Sequence, residues 1–262
     1  DEIINQLKST DKIRANITEY SEKIFTDINK GSWEVFYHSK PEIFKNPIKV
    51  ELNKQLIAKD PKEDIIQEGV IGIDFGTKST VVVFQQDNEH ILPMRVGIGD
   101  WTKPKEKKHY ENPTVMEFRN FSEFWSDYNE LEFRPFTKWE DLTISHTAYN
   151  NMRESSNSKD FNSYLTELKQ WAGDSNRKIR IEDKQKTTSL EIPPFLEVGE
   201  VNPIELYAYY LGLYINNQHN GIYLDYILSF PVTYEKKVRD KILESFKKGL
   251  KKSIPDIGEK IE

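Results

Sequence analysis

Gly69–Phe84 reads GVIGIDFGTKSTVVVF. An apolar run is broken once by an acid, Asp74, then by the small-residue turn Gly76-Thr77-Lys78-Ser79, and then resumes. Both apolar halves are rich in valine and isoleucine, which predicts strands over 69–75 and 80–86. Strands so close in sequence pair as an antiparallel hairpin. The acid is the anomaly, because a lone carboxylate in an apolar strand costs several kcal/mol unless something compensates it. A local answer is that Asp74 caps the turn, where Asp and Gly are favoured for backbone reasons. The other answer is a ligand. Successive N–H groups of a small-residue turn form an anion nest, Thr77 and Ser79 add hydroxyls, and Lys78 adds positive charge. Asp74 at the strand's end then holds a hydrated Mg²⁺, a cation that favours a carboxylate plus water over a cage of protein ligands.

Upstream, residues 11–30 carry Ile13, Ile17, Tyr20, Ile24 and Ile28 at helical spacing behind Ser9-Thr10-Asp11, which predicts a helix closed by Gly31. Residues 32–68 read as irregular strands and loops, ending in a solvated linker, DPKEDIIQEG, with a boundary near Glu68. Downstream, a third strand is predicted over 90–96, a charged loop over 99–113, and a strand in PTVMEF. Segment 119–160 is aromatic but weakly periodic, with an exposed loop over 150–160. A helix is predicted near 161–172, two short strands within 177–192, and a strongly periodic helix over 203–217 with Asn202 as its cap and Pro203 at its first position. LDYILSFPV (224–232) reads as an apolar strand covered on both faces. The helix after it carries the stripe Val238, Ile242, Phe246 and Leu250. Antiparallel strands followed by helix, strand and helix make an α/β layered domain rather than a uniform β-α repeat.

Composition excludes several classes. The 262 residues carry 37% hydrophobic and 31% charged side chains of mixed sign, enough to build a core. A net charge of −6 argues against a nucleic-acid binder. The absence of cysteine removes disulfides and thiolate chemistry. No apolar run reaches the length of a membrane span, and the first residues do not read as a signal peptide, so the expectation is a cytoplasmic protein without membrane contact. The missing initiator Met and the ending GEKIE suggest a piece of something longer. The five histidines show no metal-ligand spacing and the lysine runs read as solvated faces. GTKS is not a P-loop, because TVVVF leads into a strand where a P-loop leads into a helix, and G-x-G-x-x-G is absent. The tyrosines of the 203–217 helix read as core packing; Trp101, Trp125 and Trp139 lie outside the periodic segments and read as buried loop anchors, with a partner surface as the alternative.

Ile71–Ser79, IGIDFGTKS, resembles the first phosphate motif of the actin-like ATPase superfamily, most closely that of the seventy-kilodalton heat-shock chaperones. Asn112-Pro113-Thr114-Val115 resembles the family's TPS-V strand, Thr166–Gly173 its AKRLIG segment, and Ile227–Val232 its ITVPA strand, all in family order; Arg239 follows at the matching offset and Gly249-Leu250 stands near the place of the family's AGL. The resemblance covers about residues 69–255 and implies a ribonuclease-H-like α/β lobe: a mixed sheet opened by an antiparallel hairpin and flanked by helices. It divides the chain into an N-terminal extension (1–68) and a first lobe (69–262) with an insertion at about 97–160.

The implied activity is hydrolysis of ATP to ADP that drives motion between lobes. The implied cofactors are ATP/ADP and Mg²⁺. Asp74 would serve as catalytic and metal-holding residue, Gly76, Thr77, Lys78 and Ser79 as the phosphate cradle, and Lys169 as the contact to the terminal phosphate and attacking water. Glu259 stands at about the spacing of the family's catalytic acid. Lys78 departs from the family, which has a small hydroxyl residue there. No D-x-G-G-G-like second phosphate motif occurs, so the implied partners are a second lobe of the same protein and client or co-chaperone proteins. The chain alone is then expected to bind ATP poorly or not at all. Three alternatives stay open: an actin-like filament protein, a sugar kinase of the same superfamily, and a degenerate, non-catalytic interaction module.

Overall fold

A computed structural model of the chain describes residues 12–16, 60–85, 91–98, 106–219, 221–229, 231, 233–258 and 260–262. The quoted stretch forms strands β1 (Val70–Phe75) and β2 (Ser79–Gln85), paired antiparallel from Val70↔Gln85 to Phe75↔Thr80. β3 (Ile91–Met94) adds antiparallel to β2, and the two-residue β4 (Asn112–Pro113) pairs with the start of β2 at Ser79 and Thr80. β10 (Asp225–Ser229) lies parallel to β1 on its other side, in register from Val70↔Asp225 to Asp74↔Ser229. The result is a five-stranded mixed sheet in the order β10-β1-β2-β3, with β4 also on β2. Glu262 extends this order. Its N–H donates to the Leu224 carbonyl at 2.9 Å and its carbonyl accepts from the Tyr226 N–H at 2.8 Å, a parallel pairing on the outer edge of β10.

The strand period places Ile71, Ile73 and Phe75 on the buried face of the sheet and Gly72 and Asp74 on the other. Two long helices cover the buried face. Phe75 packs on Tyr207 of α4 (Pro203–His219) and on Phe246 of α5 (Lys236–Lys252), with ring centroids 6.2 and 5.2 Å apart. Helix α4 is capped as its sequence predicts, Asn202 accepting from the Ile204 N–H at 3.1 Å. Its tyrosines 207, 209, 210 and 214 are buried core, as is the α5 stripe of Val238, Ile242, Phe246 and Leu250. The two backbones approach closely. A methyl at Gly249 would lie 2.2 Å from the Glu205 carbonyl oxygen, and one at Gly212 would lie 2.1 Å from Ser253 Oγ. Arg134 ties their far ends together, donating to the Ser253 carbonyl (3.1 Å) and to Asn217 Oδ1 (2.9 Å).

Several expectations are corrected. The 224–232 strand is not covered on both faces: in β10 Asp225, Ile227 and Ser229 face solvent, and Ile227 is 66% exposed. The helix expected near 161–172 is three elements: a 3-10 turn (Ser158–Ser163), the short strand β7 (Tyr164–Leu165) and the one-and-a-half-turn helix α3 (Leu168–Gly173). Ser163 Oγ closes that turn on the Asp160 carbonyl at 2.7 Å, and Leu165 then pairs with Met116.

The weakly periodic 119–160 segment holds helix α1 (Phe121–Glu130), strand β6 (Leu142–Ile144) and helix α2 (Ser145–Glu154), so the 150–160 loop begins only after Glu154. β6 and β7 flank β5 (Met116–Phe118) in a second sheet that shares the main core. β8 (Ile179–Glu182) and β9 (Ser189–Ile192) form the expected hairpin. The 60–69 linker is not solvated throughout, since Ile222 donates to the Asp64 carbonyl and accepts from Ile66 N–H, both at 2.9 Å. The 11–30 helix breaks at Asn16, whose φ of 51° is the left-handed conformation that ends helices; residues 17–30 lie outside the described residues. No helix among the described residues is long and apolar enough to cross a membrane.

Candidate functional site

The hairpin tip is built by three constraints. Gly76 is required by space: a Cβ there would lie 2.1 Å from the Ser79 carbonyl oxygen. Thr114 then fastens the turn from behind. Its hydroxyl donates to the Gly76 carbonyl at 3.0 Å and lies 2.9 Å from Thr80 Oγ1, and its N–H donates to the Lys78 carbonyl at 3.0 Å. Asn112 holds the neighbouring strand ends together through the Thr80 and Met94 carbonyls, both at 3.1 Å. The Gly76 and Lys78 carbonyls therefore point into the protein. Among the described residues no acceptor meets the N–H of Thr77 or Lys78, and both residues are exposed.

Asp74 corrects the premise of its own anomaly. It is exposed rather than buried, because the strand period puts it on the outer face one residue before the tip. It does not cap the turn: its Oδ1 accepts from Ser229 Oγ at 2.5 Å across the parallel β1–β10 pair. Desolvation therefore does not explain the acid, and its placement on an accessible edge leaves most of its acceptor capacity open.

Lys169 comes to the same tip from α3. Its side chain is 8% exposed and its ammonium donates to the carbonyl of Phe75, the residue after Asp74. Burial lowers its pKa, and the nearby Asp74 charge opposes that shift. Trp171 anchors the same helix, stacking edge-on against Phe195 at 5.2 Å and donating to the Pro193 carbonyl at 3.1 Å. The structure thus gathers Asp74, Gly76, Thr77, Lys78, Ser79 and Lys169 around one sheet end. Glu259 lies outside the described residues. Sequence reasoning missed Thr114 as the fastener of the turn, Ser229 as the partner of Asp74, and Tyr234, whose hydroxyl donates to the Lys169 carbonyl at 2.7 Å. The Asn112–Val115 motif pointed to the first by place, though not by role.

Elsewhere, Trp139 is buried, Trp125 is part-buried against Phe121 and Tyr128, and Trp101 lies outside the described residues. Among the described residues no three His, Asp or Glu side chains converge as a metal cage. Comparison with known proteins gives no matching family model and no matching curated protein.

Proposed function

We propose that the chain carries the first lobe of an actin-like ATPase domain of the seventy-kilodalton heat-shock chaperone type, and that its hairpin tip receives the phosphates of Mg-ATP. The observation that carries this reading is the arrival of Lys169, 94 residues beyond Phe75, on the carbonyl next to Asp74. The sheet order supports a ribonuclease-H-like lobe, with three antiparallel strands at the start of the fold and β10 parallel to the first.

The tip fits a hydrated Mg²⁺. One accessible carboxylate, without a cage of protein ligands, suits a cation that keeps its waters and shares the phosphates. Asp74 would hold it through water, and the ion would supply charge neutralisation to the β- and γ-phosphates. The open N–H groups of Thr77 and Lys78, with the Thr77 and Ser79 hydroxyls and the Lys78 ammonium, cradle the phosphate oxygens. Lys169 spends one of its three N–H donors on Phe75; the other two can meet the terminal phosphate and orient the attacking water. A second lobe of the same protein closes the cleft, and ATP hydrolysis then moves the lobes against each other to act on client proteins.

Titrating Mg-ATP into the ¹⁵N-labelled chain tests the reading. The expected result is weak, saturable shifts concentrated at Gly76–Ser79 and at Lys169, lost in Asp74→Ala. Shifts that gather elsewhere, or that survive Asp74→Ala unchanged, overturn it.

A further inference from the structure

The lysine of the site sits on a helix too short to hold itself. Helix α3 has six residues, far below the length at which an isolated helix is stable, and Glu167 before it makes no side-chain cap bond. Its orientation must be imposed from outside. On one side Trp171 does this through Phe195 and Pro193. On the other side stands Tyr234, in the connection between β10 and α5. Its N–H donates to the Pro231 carbonyl at 3.3 Å, its hydroxyl reaches the Lys169 carbonyl at 2.7 Å, and its ring lies against Gly173. The fit to Gly173 is tight: a Cβ there would meet the Tyr234 hydroxyl at 2.8 Å and ring carbons at 2.9 Å. One tyrosine therefore grips the second and the last residue of the helix at once. It follows the same β10 whose Ser229 holds Asp74, so Asp74 and Lys169 are both set from one stretch of chain.

We infer that Tyr234 is a positioning residue for Lys169: its hydroxyl and ring fix the rotation of α3 and so keep the Lys169 ammonium on the Phe75 carbonyl beside Asp74. The inference gains its functional meaning from the reading above, but its geometry stands without nucleotide. Removing the hydroxyl frees α3 to turn and releases the ammonium from its carbonyl. Adding a methyl at Gly173 pushes the ring away from the other side and has the same result.

Lysine acylation by acetic anhydride, read residue by residue by mass spectrometry on the whole chain without nucleotide, tests this. Lys252 serves as the internal control, since it too is part-buried, donates to a backbone carbonyl, that of Leu131, at 3.0 Å, and lies at the end of α5 far from Tyr234. In Tyr234→Phe, which keeps the ring, the rate at Lys169 should rise about fivefold, the population change carried by one net hydrogen bond. The pH profile of Lys169 acylation should shift with it, while Lys252 keeps its original rate. Gly173→Ala should reproduce the increase. Unchanged Lys169 rates in both variants overturn the inference, as does a parallel rise at Lys252, which marks general loosening. Because no nucleotide is present, failure of ATP binding and failure of this positioning role are read separately.

Discussion

Two carboxylate–lysine pairs in this molecule have opposite surroundings. Glu117 in β5 is completely buried, and four groups converge on it: Thr143 Oγ1 at 2.7 Å, Asn151 Nδ2 at 2.6 Å, the Tyr164 hydroxyl at 3.3 Å and Lys184 Nζ at 2.5 Å. Asp74 at the hairpin tip is exposed and accepts from Ser229 alone among the described residues, while its neighbour Lys169 gives its ammonium to a backbone carbonyl. The lysines titrate in opposite directions. Burial works against the charge of Lys184, but the bonds and charges of Glu117 and Tyr164 exceed it and raise the pKa; burial lowers that of Lys169 despite Asp74. A saturated buried carboxylate has no capacity left for a ligand and serves the fold. An exposed one with open acceptors contributes little to the fold and keeps its capacity for something that arrives.

Stability measurements can break this contrast. Glu117→Ala strands the Lys184 ammonium and three polar groups, and should cost about 3–5 kcal/mol in urea unfolding, the range for breaking one side of a buried pair. A loss near zero would erase the distinction between the two sites.

Asp141 sharpens it as an intermediate case, buried at 5% exposure with Oδ2 unpartnered among the described residues. Burial and the charges of Glu140, Asp127 and Glu123 outweigh the pull of Lys138 and raise its pKa from 3.8 to about 6. The folded state therefore holds this proton more tightly than the unfolded one, so the penalty is absent below pH 4, grows between about pH 4 and 6, and is constant above that. Asp141→Asn should raise stability by up to about 3 kcal/mol at pH 7–8, at 1.36 kcal/mol per pKa unit. The gain should vanish below pH 4, and a pH-independent gain would mean the charge is not its cause.

Gly76→Ala should cost about 1–3 kcal/mol, because the new methyl meets the Ser79 carbonyl and the turn must open against Thr114. An unchanged unfolding midpoint would show that the tip is not held by close approach. The smallest effect belongs to Asp74→Asn, which should move stability by less than about 0.5 kcal/mol, as for other exposed positions. A loss comparable to that of Glu117→Ala would place both carboxylates in the same structural class.

The parts legible in the sequence are those whose physics is local. Strands β1 and β2 announce themselves by valine and isoleucine around a small-residue turn, α4 by Asn202-Pro203, and α5 by its four-residue stripe. What was misread depends on distant partners. Leu165, Leu168 and Trp171 mimic a helical period after Phe161, but Leu165 is claimed by Met116, 49 positions earlier in the chain, and Phe161 is 62% exposed. β10 is apolar enough for two covered faces, yet its pairing turns Ile227 outward beside Gly72. Asp74 was visible at once, but the reason for it was not, since burial is a property of the neighbours and the strand period had already placed it outside. Lys169 entered through family resemblance, not through any spacing. Ser229 and Tyr234 gave no signal, because their contacts span 155 and 65 residues.

Gly212 and Gly249 bear on the mechanics of the molecule. Where a bulkier residue would keep a cushion of side chains between the two long helices, at Gly249 main chain rests against main chain and at Gly212 it rests against the Ser253 side chain, so sliding either helix along the other would drive atoms into collision. The pair is therefore built as one beam, with Tyr234 beside one end and the Arg134 bridge at the other.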